Sequence, residues 1–257
     1  MYQNKNITSL IKYLFYNTKN IIINDLYGFI NLVLINSLLL IGITLINNWI
    51  SDSINIFDPI FGIIVLRIAL ALIISGLWIG YFKLIFAYID HNKFKIKTLF
   101  INFDVLPKIV IVQSIYYLTT IPLFLFIIKK IPYNINEHGT NINNYFYSIV
   151  SSFELSGVKL SGYDIIIIIF LSLGPIIYLL HFWCAELLII DQSSSIKRAL
   201  KTSYIINNNI KQFILLIILI FSINVLSVLF GYFIFIIVLT LSYMVMFQYY
   251  RMLQKDS

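Results

Sequence analysis

Apolar positions in this chain do not alternate with polar ones; they run together. Long stretches of Ile, Leu, Phe and Val are separated by short polar, basic segments. About 20 consecutive apolar residues cross a hydrocarbon core about 30 Å thick. Runs of that kind lie at about 26–46, 60–87, 105–128 and 164–190. The second is long enough to tilt or protrude. A fifth run, 212–250, is about twice the spanning length and has to fold back once. Gly231 near its middle is the expected turn, which gives spans at about 213–230 and 232–247. Hydrocarbon offers an open backbone no partner, and the runs are too long for barrel strands, so all six are predicted to be helices. The expectation is an all-α, polytopic membrane helical bundle, one integral membrane domain over 1–257.

The segments between spans carry a second pattern. Ile7, Leu10, Ile11, Leu14, Phe15, Thr18 and Ile22 fall on one helical face. So do Ile96, Leu99, Phe100 and Phe103, and again Ile196, Ala199, Leu200 and Ser203. The spacing is i, i+3, i+4, i+7, and basic residues back each stripe. Short amphipathic helices are predicted at about 7–22, 94–103 and 194–206. Asp191 and Ser193–Ser195 are candidate N-caps for the third. Helices of this type lie in the membrane interface with the apolar face in the acyl boundary. The repeated unit reads as a basic amphipathic helix followed by two spans.

Composition excludes the main alternatives. Of 257 residues, 60% are hydrophobic and 11% charged, where a soluble domain carries roughly a quarter charged residues. There is too little charge to cover a water-soluble globule of this size, and too much apolar surface for disorder. Net charge is +7. In a soluble chain that would suggest nucleic acid; here basic residues flank spans and attract anionic headgroups, so lipid is expected and nucleic acid is not. With six spans the termini share a side. That side carries Lys5, Lys12, Lys19, Lys93, Lys95, Lys97, Lys108, Lys197, Arg198, Lys201, Lys211, Arg251 and Lys255, and the other only Lys129, Lys130 and Lys159. The bias places both termini in the cytoplasm. The polar, basic N-terminal segment has no small-residue cleavage site, which predicts an uncleaved anchor.

Candidate chemistry is sparse. One cysteine, Cys184, excludes an internal disulfide, and His91, His138 and His181 lie far apart in the chain. His138 beside Glu137 in the long outer loop has no third ligand near it in sequence. No P-loop, Rossmann glycine pattern, zinc-protease helix or nucleophile elbow is present. The expectation is no catalytic, metal or cofactor site. Ionisable groups inside spans are functional candidates by default. They are Arg67 and Lys83 in the second span, and His181 and Glu186 in the fourth. Asn224 is a neutral polar candidate, better suited to hydrogen bonding between helices. Lys83 and Glu186 each lie about four residues from the inner end of an apolar run, roughly 6 Å below the boundary. They are therefore the expected intramembrane polar pair. Candidate headgroup contacts are Lys12, Lys19, Lys93, Lys95, Lys97, Lys197, Arg198 and Lys201. Gly174-Pro175 is expected to break the fourth span near its middle, a feature that transporters use.

The C-terminal third carries a resemblance. Glu186 and Asp191 are followed by Ser195-Ile-Lys-Arg-Ala-Leu-Lys-Thr-Ser203, then by Asn208-Asn209, then by two spans ending Tyr249-Tyr-Arg251-Met-Leu. With Leu106-Pro107-Lys108 opening the third span, this resembles uncharacterised six-span bacterial inner-membrane proteins, similar to the membrane domain found beside glycerophosphodiester phosphodiesterase domains. No phosphodiesterase domain is present, so that activity does not carry over. The resemblance implies a multi-pass protein of the bacterial cytoplasmic membrane and supplies no catalytic residues. The functional expectation is a non-enzymatic integral membrane protein that organises anionic lipid or a membrane partner. The rival reading is a small transporter or exporter subunit.

Overall fold

The structure is a computed structural model, and it describes residues 7–53, 60–90, 96–100, 104–130, 162–206 and 210–256. These form eight α-helices and one 3-10 turn, with no strand among the described residues. In chain order the helices are α1 (Ile7–Asn24), α2 (Leu26–Ser53), α3 (Ile60–Ile89), α4 (Leu106–Lys130), α5 (Gly162–Gln192), α6 (Ile196–Ile206), α7 (Ile210–Val228) and α8 (Tyr232–Asp256). Six of them, α2, α3, α4, α5, α7 and α8, are long and apolar enough to cross a membrane. The protein is a multi-pass, all-α membrane protein. The fold-back falls where its glycine predicts: Gly231 adopts φ 103°, a backbone region that costs a residue without Cβ nothing. Its amide donates to the Val228 carbonyl (3.1 Å) and its carbonyl accepts from Phe235 (3.1 Å), closing one helix and opening the next.

The chain forms two compact units, Met1–Val110 with Leu180–Ser257, and Ile111–Leu179. In the larger unit α8 is the hub, packed by α1, α2, α3 and α7. Its residues from Thr240 to Leu253 are nearly all buried or half-buried, as expected of a helix that is apolar on every side. An aromatic seam joins it to α3: Phe86 stacks on Phe247 (4.4 Å between centroids), and Phe82 meets Tyr243 and Phe247, both at 5.3 Å. Buried polar groups set the register. Asn36 of α2 donates to Thr240 Oγ1 (2.9 Å), and Thr240 Oγ1 donates to the Ile236 carbonyl (3.0 Å). Asn224 of α7 donates to Ser242 Oγ of α8 (2.7 Å), the interhelical role expected of it.

In the smaller unit Tyr178 of α5 donates to the Val112 carbonyl of α4 (2.8 Å). Gly174 lies beside Thr119, with room for a Cβ 3.6 Å from the Thr119 carbonyl oxygen. The expected break at Gly174-Pro175 does not occur: α5 runs unbroken through Pro175. A proline removes one backbone hydrogen bond, and inside a span the surrounding helix absorbs that loss.

The three amphipathic segments differ from one another. α1 forms over the expected residues, and Leu10, Leu14 and Thr18 are buried. The helix packs on α8 and α2, so these positions face protein. Gln248 of α8, itself buried, faces Leu14 and Thr18; with its side-chain amide turned so that nitrogen meets the Leu14 carbonyl, it also accepts from the Thr18 amide, both at 3.3 Å. Asp25 caps α2 through its carboxylate, which accepts from Gly28 N (2.8 Å). Its carbonyl accepts from Tyr88 of α3 (2.6 Å), pinning the α1–α2 elbow. Ala199, Ser203 and Ile206 of α6 are likewise buried. The segment expected as a helix over 94–103 is instead a single 3-10 turn at Ile96–Leu99; residues 94–95 and 101–103 lie outside the described residues. The turn packs on α3. Its Leu99 backbone lies so close to Gly80 that a Cβ there would sit 2.5 Å from Leu99 Cα.

Candidate functional site

Three helix ends within the larger unit carry charge. Asp90 follows the last residue of α3, Asp191 is next to last in α5, and Arg251 lies one turn from the end of α8. Arg251 grips Asp191 with two nitrogens, Nη1 to Oδ2 at 2.6 Å and Nη2 to Oδ1 at 2.9 Å. This fork-on-fork pairing combines charge with fixed geometry. Nη2 also bonds Asp90 Oδ2, and Nη1 donates to Gln254 Oε1 (3.0 Å). Tyr250 donates to Asp191 Oδ2 (3.2 Å) and accepts from Gln254 Nε2. The guanidinium lies 4.8 Å from the Phe86 ring centroid and 5.8 Å from that of Tyr250, within cation–π range. Side-chain exposure is 24% for Arg251, 13% for Asp191 and 35% for Asp90, so the Asp191 arm is the better shielded from solvent.

More charge surrounds this lock. Lys108, in the first turn of α4, donates to the Ser193 carbonyl (3.0 Å) just beyond α5. Ser193 holds φ 50°, and the left-handed residue ends the helix. Asp191 is therefore not the N-cap of α6 but a ligand of Arg251. Ser195 takes the cap position, its carbonyl accepting from Ala199 N (2.8 Å). Lys83 lies within the electrostatic reach of Asp104 and Asp191. Glu186, its expected partner, is half-buried on α5. Lys83→Met and Glu186→Gln are each expected to lower thermal stability in detergent, with the double variant losing less than the sum. Additive losses in that cycle would separate the two residues.

The remaining candidates are placed as follows. His181 lies on α5; its carbonyl accepts from Ser203 Oγ of α6 (2.9 Å) and its ring is 5.2 Å from Tyr204. Arg67 lies on α3, with its side chain outside the described atoms. Lys12, Lys19, Lys97, Lys197, Arg198 and Lys201 are exposed. Lys93 and Lys95 lie outside the described residues. No group of three or more metal-ligating side chains occurs among the described residues.

Asp90 carries no role in the sequence reading, and Arg251 enters it as a topological charge and as part of the C-terminal resemblance, not as an ion-pair partner. A signal was available, since Asp90, Asp191 and Arg251 all stand where an apolar run meets the same side. Asn36 and Thr240 were also passed over, each one of several polar residues inside an apolar run. Compared with known proteins, the chain matches no family model, no curated protein and no solved structure.

Proposed function

We propose that this chain is a non-enzymatic integral protein of a bacterial cytoplasmic membrane that organises anionic lipid, or a membrane partner, through the basic surface of α1, the 3-10 turn and α6. We extend to it the six-span family it resembles. The observation that carries the reading is the separation of charge. Asp90 and Asp191 are both engaged by Arg251. Lys12, Lys19, Lys97, Lys197, Arg198 and Lys201 face outward. Each such cation is worth roughly 1 kcal/mol near an anionic surface, so six together form a strong electrostatic footing.

Native mass spectrometry of the purified protein is expected to find bound phosphatidylglycerol or another anionic phospholipid. The variant Lys197→Gln/Arg198→Gln/Lys201→Gln should lose most of it while keeping its thermal stability. Retention unchanged by the triple substitution, or retention of zwitterionic lipid only, would remove the basis of the reading. Both termini belong to the cytoplasm in this reading. An impermeant thiol reagent applied from outside should label an engineered cysteine at 141–144 and not Lys5→Cys. The reverse pattern would invert the topology.

A further inference from the structure

On the face of α1 that the sequence assigns to the acyl boundary, protein covers Leu10, Leu14 and Thr18 and half-covers Ile7, Ile11 and Ile22, while Phe15 stays exposed at its edge; the opposite face is outward. Lys12, Phe15, Tyr16, Lys19 and Ile23 are exposed, Tyr16 and Ile23 each by 64%. At 3.6 residues per turn, Lys12, Tyr16, Lys19 and Ile23 share a sector about 60° wide, and Leu10, Leu14 and Thr18 are centred about 190° away. α6 repeats the arrangement. Ala199, Ser203 and Ile206 dock, Lys197, Arg198, Lys201 and Ile205 stand outward, and Tyr204 keeps one side exposed while its ring rests 5.2 Å from that of His181. Lys197, Lys201 and Tyr204 have the same i, i+4, i+7 spacing as Lys12, Tyr16 and Lys19. Two helices, distant in sequence, thus each present two lysines and a tyrosine on one stripe, with an exposed isoleucine on that stripe in α1 and at its edge in α6.

We infer that these two outward stripes, Lys12/Tyr16/Lys19/Ile23 on α1 and Lys197/Lys201/Tyr204/Ile205 on α6, are headgroup-binding faces for anionic phospholipid of the leaflet beside them. The lysines meet phosphate, and the tyrosine and isoleucine enter the headgroup layer between them. The inference rests on the lipid reading above and fixes its residues and geometry. Charge complementarity selects the occupant. The stripes carry cations and no carboxylate, and tyrosine suits a boundary where one end of the ring is wet and the other apolar. Because the larger apolar stripe is spent on docking, each helix is held by protein and only side-chain tips reach lipid. The contact is therefore shallow and depends on salt.

The test uses the full chain in nanodiscs of phosphatidylcholine, with or without phosphatidylglycerol. Tyr16→Cys and Tyr204→Cys are labelled singly with an environment-sensitive fluorophore; native Cys184 is fully buried and stays in place. Each label is expected to shift its emission to the blue, and to be quenched by a headgroup-level nitroxide lipid, only when phosphatidylglycerol is present. High salt should reverse both effects. Lys12→Gln/Lys19→Gln should abolish the shift at position 16 and leave that at 204, and Lys12→Arg/Lys19→Arg should keep both. A label that reports water in either lipid, or an equal shift in phosphatidylcholine alone, overturns the inference. A shift that appears only at high protein density assigns the face to a second copy and overturns it too. Anionic lipid retained in mass spectra while the labels stay in water would refute these faces and spare the broader reading.

Discussion

Arg251→Met is expected to give the largest loss of stability of any single charge substitution in this protein. The methionine keeps the apolar stem beside Phe86 but removes the fork that holds Asp191 and Asp90. Breaking a buried pair costs about 3–5 kcal/mol, because the surviving charge is left desolvated. The exposure of Asp90, 35%, puts its arm in the weak, screened class. Asp191, at 13%, has less recourse to water. The expected loss is therefore about 3 kcal/mol, carried mainly by the Asp191 arm. It should appear as a lower midpoint of thermal unfolding in detergent. Asp191→Asn added to Arg251→Met should recover part of the loss, since the orphaned charge is then gone. Asp90→Asn alone should cost far less than Asp191→Asn. If the two aspartates weigh equally, the burial argument is wrong.

The second large effect is steric. Gly80→Val places branched carbon where the Leu99 backbone already lies, with Leu99 Cα 2.5 Å and its carbonyl carbon 2.7 Å from the Cβ position. Backbone cannot swing aside as a flexible side chain does, so α3 and the 3-10 turn have to part. Overpacking of this kind costs about 1–3 kcal/mol and at times more; Gly80→Val belongs at the upper end, with Gly80→Ala below it. Gly42 supplies the control. Nothing lies within 4 Å of its Cβ position on α2, and alanine is better than glycine in a helix interior by roughly 0.5–1 kcal/mol. Gly42→Ala should raise the unfolding midpoint where Gly80→Ala lowers it. The same sign at both positions would show that helix propensity, not the close approach, governs Gly80.

What the sequence disclosed follows from which interactions are local. Span length is a property of one run of residues, so the six crossings and the Gly231 reversal were legible. The stripe on α1 was legible too, but a stripe says only which side is apolar and not what covers it. Leu14 and Thr18 meet Gln248 of α8, which is remote in the chain, and no local pattern announces that. The segment around Ile96 fell short for a related reason. An isolated helix of so few residues is marginal on its own, and the Gly80 notch takes the Leu99 backbone in a tighter turn. The lock at Arg251 joins residues 60 and 161 positions apart in sequence. Its partners were visible as charges and invisible as partners.

The docking of α1 on α8 joins two helices that are remote from each other in the chain. Gln248, which meets Leu14 and Thr18, belongs to a helix made long after α1. At about 5–20 residues per second, synthesis of the intervening chain takes on the order of tens of seconds. Throughout that interval the apolar side of α1 lacks α8, its main cover, and the adjacent bilayer surface is the available substitute. The helix that finishes docked by its apolar side begins as a surface-seeking one, so its amphipathic pattern serves two solvents in succession.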